Sequence, residues 1–142
     1  IKIERNNIMK NLTEQEILRI LARSWNTLSI PILEEVLHTN IIYQSQWVST
    51  PIIGKKELIL HLDSKYREIQ RDRFRSNMYV VAEMAYFPKL NNKPCLIITQ
   101  KTGSITRQVS VLISIDNGLI KRINVCYDPH PMLAIFTGEI PK

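Results

Sequence analysis

The hydrophobic rhythm of this chain changes near residue 77, and that change constrains the fold more than any other feature. Before it, apolar residues recur every three or four positions; after it, they recur at every second position. The first rhythm lays a stripe along a helix, and the second lays one face of a strand. Thr13 and Glu16 form a capping box, in which each side chain satisfies a backbone amide at the start of a helix. Ile17, Leu18, Leu21, Trp25 and Leu28 then make one apolar stripe. Pro31 suits the first turn of a short second helix, with Glu34 and Glu35 near the positive end of its dipole and Ile32, Leu33, Val36 and Leu37 as its apolar face. Ile41 to Val48 is β-branched and aromatic and reads as a strand, and Thr50 to Gly54 turns the chain. Leu58, Ile59, Leu62, Tyr66 and Ile69 mark a third helix from Lys55 to Arg71.

Beyond the change of rhythm, Met78 to Phe87, Cys95 to Lys101 and Val109 to Ile115 read as strands. Asn117-Gly118 is a strong hairpin signal, because both positions of such a turn need positive φ, and Leu119 to Tyr127 returns as the last strand. The order is helix, helix, strand, helix, then four strands. Helices early and strands late predict an α+β fold: a curved antiparallel sheet wrapped around N-terminal helices. Parallel α/β architecture would need alternation, and there is none.

At 142 residues the chain suits one domain with a sizeable core. Residues 13–131 are expected to form it. Residues 1–12 read as a flexible extension with Met9 a candidate start, and 132–142 as a tail. No apolar run approaches the roughly 18 residues of a membrane span, and Ile1 to Lys10 lacks the apolar core of a signal peptide. Cys95 and Cys126 fall inside strand-like segments and read as reduced residues of a cytoplasmic protein. His38, His61 and His130 are scattered without ligand spacing, so neither a metal nor a cofactor is expected. The formal net charge is +6, and Lys65 to Arg75 holds five basic and two acidic residues. That segment reads as a solvated helix end, where cations complement the dipole. Neither nucleic acid nor a membrane is expected as a partner.

The segments Ile41-Ile42-Tyr43-Gln44-Ser45-Gln46-Trp47-Val48, Ile53-Gly54-Lys55-Lys56-Glu57 and Ile115-Asp116-Asn117-Gly118-Leu119-Ile120, in this order of elements, resemble the nuclear-transport-factor-2-like superfamily, which includes SnoaL-like and ketosteroid-isomerase-like proteins. The resemblance covers Thr13 to Pro129. It implies a cone-shaped, cystatin-like α+β barrel with a deep pocket between sheet and helices, often in a homodimer. Some relatives are isomerases, cyclases, dehydratases or epoxide hydrolases, and others only bind, so the fold does not name the function. Isomerase chemistry of this kind needs a carboxylate to move a proton and an acidic donor pair for the oxyanion. Counted from Gly54 and Asp116, the family positions fall on Ser45, Leu21 and Val111, which cannot do this. No Asp or Glu occurs between Glu35 and Glu57.

Period 2 puts Tyr43, Ser45 and Trp47 on one face of the first strand, and the family offset makes that the cavity face. Trp25 and Tyr66 approach from the two long helices. These five are the expected ligand-binding residues. Aromatic walls with a few hydroxyl and indole donors suit a small apolar or amphipathic molecule. The expected function is therefore ligand binding without isomerase acids. One alternative is an isomerase, dehydratase or hydrolase with a non-standard acid/base set drawn from His61, Glu83 and Asp128. Another is a protein or nucleic-acid interaction module using residues 65–75. Asp63 and Asp116 read as surface and turn residues. The tail segment Met132-Leu133-Ala134-Ile135-Phe136 is expected to pack on the body or on a partner subunit, since an exposed apolar run is a liability.

Overall fold

The computed structural model describes residues 12–46 and 48–142. The N-terminal extension up to residue 11 and the expected pocket residue Trp47 lie outside the described residues. In chain order the elements are α1 (Glu14–Thr27), α2 (Pro31–Glu34), β1 (Leu37–Ser45), β2 (Ile52–Ile53), α3 (Lys55–Ser76), β3 (Met78–Phe87), β4 (Lys93–Thr102), β5 (Ile105–Asp116), β6 (Leu119–Cys126) and β7 (Ile135–Phe136).

Local chemistry explains most of these boundaries. Thr13 Oγ1 accepts from the Glu16 amide at 3.1 Å, and Glu16 Oε1 accepts from the Thr13 amide at 3.2 Å, closing the capping box. Gly54 starts α3 at φ +102°, a conformation reserved for glycine. Asn117 and Gly118 both carry positive φ in the last hairpin. Two elements depart from the expectation. The strand placed at 41–48 begins at Leu37 and ends at Ser45, because α2 is a single turn and the Ile120 amide already bonds the Val36 carbonyl at 2.7 Å. The third helix runs five residues past Arg71, through a charged stretch where no apolar stripe marks its course, until Asn77 takes a left-handed conformation.

The seven strands form one open sheet in the order β2-β1-β6-β5-β4-β3-β7. β3 to β6 form the expected antiparallel meander, and β1 joins it as a parallel neighbour of β6. The sheet is therefore mixed. A register shift between Ser114 and Ile115 marks a bulge in β5, of the kind that bends a sheet. The inner face wraps α1 and α3, and Ile17, Leu18, Leu21, Leu58 and Leu62 are fully buried against it. A smaller cluster of Ala85, Phe87, Cys95 and Ile97 lies on the outer face, with Leu112 and Ala134 packed on it.

The segment after Pro131 covers the outer edge of β3. β7 pairs with Ala85 and Tyr86. The Met84 amide donates to the Glu139 carbonyl at 2.9 Å, and the Thr137 amide donates to the Met84 carbonyl at 3.0 Å. Asn26 of α1 completes the edge: its Oδ1 accepts from the Ala82 amide at 2.8 Å and its Nδ2 donates to the Ala82 carbonyl at 2.8 Å. Nδ2 also donates to the Pro141 carbonyl at 2.6 Å, and Arg19 pairs with Glu139 at 2.8 Å. Met132, Leu133, Ile135 and Phe136 remain exposed.

Candidate functional site

A cavity of about 260 Å³ lies between the C-terminal half of α3 and the inner face of the sheet. Buried residues form its floor: Trp25 of α1, Tyr43 of β1, Ile69 of α3, and Val80, Ile98 and Val125 of the sheet. More exposed polar residues form its rim: Lys65, Glu68 and Asp72 of α3, Gln100 of β4 and Arg107 of β5. Lys65, Glu68, Ile69 and Asp72 are spaced 0, 3, 4 and 7 along the helix, which puts all four on one face. The chamber is greasy below and charged at its mouth.

Of the five residues expected to bind ligand, Trp25 and Tyr43 line this cavity. Tyr66 is buried behind Trp25, in an edge-to-face contact with ring centroids 5.2 Å apart. Ser45 is buried beside Tyr43 and also borders an open groove of about 510 Å³ with Gln44, Gln46, Asn124, Cys126 and Asp128. The hydroxyls are engaged within the protein. Ser24 Oγ donates to the Ser29 carbonyl at 2.7 Å and lies 2.8 Å from the Tyr66 hydroxyl. Burial pushes the Tyr43 phenol up to about 12, and a hydrogen bond with the Ser45 side chain partly opposes it. Burial raises the Tyr66 phenol further. Both phenols are neutral hydrogen-bonding groups at physiological pH.

The rim residues were not legible as a site in the sequence. Lys65, Glu68 and Asp72 sit in the segment that composition assigns to a solvated helix end. The 0, 3, 4, 7 spacing around Ile69 was the available signal. Gln100 and Arg107 join through the β4–β5 register, where they are direct partners, and no sequence spacing reveals that. Glu68 and Asp72 are neighbours on one helix rather than facing each other across the hollow, and Asp72 pairs with Arg71 at 3.3 Å.

The alternative acid/base set is dispersed. Glu83 borders a shallow depression on the outer face with Thr99 and Lys101, and Asp128 borders the groove beside Cys126. His61 lies against the Tyr43 ring with centroids 5.4 Å apart, and its Nε2 is buried without a hydrogen-bond partner among the described residues. Burial lowers its pKa, and Lys65 lowers it further. Leu21, Ser45 and Val111, at the family's acid positions, are all buried. Among the described residues no group of three His, Cys, Asp or Glu could hold a metal, and no helix is long and apolar enough to cross a membrane.

Solved structures reproduce the architecture. A cystatin-fold protein from Novosphingobium aromaticivorans superposes with a TM-score of 0.62 over 81% of this chain and 98% of its own, at 8% identity. An NTF2-like protein of unknown function from Cytophaga hutchinsonii superposes with a TM-score of 0.57 over 86% of this chain and 96% of its own, at 17% identity. The chain has the nuclear-transport-factor-2-like fold. A steroid delta-isomerase from Pseudomonas aeruginosa shares this fold at a TM-score of 0.53 and 16% identity, covering 78% of this chain and 75% of its own. No protein-family model matches the sequence, and no curated protein matches it. Identities this low establish the nuclear-transport-factor-2-like architecture and leave function to the site.

Proposed function

We propose that this protein binds a small amphipathic molecule in the cavity beneath α3, its apolar body against Trp25 and Tyr43 and its polar head at the charged rim. The observation that carries the reading is the division of the chamber into a buried apolar floor and a rim of Lys65, Glu68, Asp72, Gln100 and Arg107. At about 260 Å³ the chamber is just below the range of drug-sized sites, so the guest is small. Binding rather than acid/base catalysis is favoured because His61, Glu83 and Asp128 do not converge on the chamber.

The test is a thermal melt with a fluorescent amphiphile, 1-anilinonaphthalene-8-sulfonate, and competing short alkyl carboxylates and alkylamines. At a hundredfold excess over Kd a ligand specific for the native state stabilises it by about 2.7 kcal/mol. Gln100→Trp, which plugs the mouth, is expected to remove that stabilisation while keeping the melting transition. Equal stabilisation of the Gln100→Trp protein would place the ligand elsewhere and end the proposal.

A further inference from the structure

One end of the molecule combines exposed apolar tips with uncancelled positive charge. The last turn of α3 carries Phe74 at 93% exposure between Arg73 and Arg75, and after Asn77 the chain enters β3 with Tyr79 at 60% exposure. Met78 pairs with Thr102, and Thr102 with Ile105, so the β4–β5 hairpin stands beside this helix end. Ile105 is 57% exposed there, and Tyr79 is the direct partner of Lys101. Phe74, Tyr79 and Ile105 thus project among Arg71, Arg73, Arg75, Lys101 and Arg107, with Glu68 and Asp72 the nearby acids. A free helix end has no reason to expose a phenylalanine this fully, and an apolar cluster ringed by polar residues marks an interaction surface.

We infer that this end is a docking surface for an anionic lipid bilayer. Arginines hold the protein at the negative headgroups, while Phe74 and Ile105 insert into the headgroup and acyl boundary, a combination that a water-exposed face alone does not require. Charge complementarity selects the anionic surface. Isoleucine at the hairpin tip favours a bilayer over nucleic acid, since a base stacks on an aromatic ring and gains little from a branched aliphatic chain. The absence of a spanning segment is compatible with this, because docking at the interface needs none. The cavity residues Asp72, Met78, Gln100 and Arg107 alternate along the same segments with the outward-facing Phe74, Tyr79, Lys101 and Ile105, so the mouth of the cone opens at the docking end.

Vesicle flotation tests this surface without reference to the cavity. The full chain is expected to float with vesicles of equal parts phosphatidylcholine and phosphatidylglycerol, and not with phosphatidylcholine alone. Arg73→Gln and Arg75→Gln should each weaken binding about fivefold, and Phe74→Ala combined with Ile105→Ser about tenfold or more with the charge unchanged. That double variant leaves every cavity-lining residue in place, so it should still bind the fluorescent amphiphile in the melt. Two outcomes overturn the inference: no flotation with anionic vesicles at low salt, or undiminished flotation of the double variant. Tighter binding to a single-stranded oligonucleotide than to the vesicles would overturn it in favour of nucleic acid.

Discussion

Ser24 has one hydroxyl proton, and the Ser29 carbonyl takes it at 2.7 Å. The Tyr66 hydroxyl must therefore be the donor in the 2.8 Å contact with Ser24. This direction predicts unequal losses. Ser24→Ala strands the Tyr66 hydroxyl and the Ser29 carbonyl in the interior and should cost about 2 to 3 kcal/mol. Tyr66→Phe leaves Ser24 bonded to Ser29 and should cost about 1 kcal/mol. Denaturant unfolding of the two variants checks the order, and a larger loss for Tyr66→Phe would reverse the assigned direction. His61 supplies a pH effect. Its folded pKa lies below the unfolded value of about 6.5, so between those two values the unfolded chain binds more protons and stability rises with pH. The His61 contribution is full above the unfolded value and is lost as pH falls toward the folded one. The melting temperature should drop on acidification from pH ~7 through that window, and His61→Gln should flatten this part of the profile. An unchanged profile in the variant would assign the acid sensitivity to other groups.

Among the elements, the outer edge of β3 is closed by groups from both ends of the chain. Asn26 uses both amide hydrogens and its carbonyl oxygen on Ala82 and Pro141. Asn26→Leu keeps the volume and removes all three bonds, leaving backbone groups of β3 unpaired at a partly buried position. A loss of about 2 kcal/mol is expected, with amide exchange at Ala82 the local readout. No reading of the sequence pairs residue 26 with residue 141. The elements themselves were legible wherever apolar periodicity or turn chemistry spoke: the Thr13–Glu16 box, the stripe of Leu58 to Ile69, and the Asn117-Gly118 hairpin. Legibility ended where polar residues carry the structure. The last turn of α3 and the first four residues of β1 were missed because Arg71–Ser76 and His38–Asn40 have no apolar rhythm. In the site, Trp25 and Tyr43 could be found as stripe and strand-face residues. Arg107 could not, because it reaches the cavity through strand register alone.

For the molecule as a whole, the segment from Ile135 to Pro141 acts as a cover for the sheet. Deleting residues 135–142 should expose the Met84 backbone and the Phe87–Ile97 cluster, lower the melting temperature by several degrees, and produce concentration-dependent association in size-exclusion chromatography. A deletion variant that stays monodisperse and melts normally would show that the cover adds nothing. The opposite margin of the sheet ends in the two-residue β2, where Ile53 is exposed. The two margins are therefore unequal, one capped by side chain and tail, the other finished by a stub. A ribbon that can be extended from one side only cannot polymerise: a second copy joining there would present its own capped margin outward. Strand-to-strand contact between copies of this protein would stop at a pair.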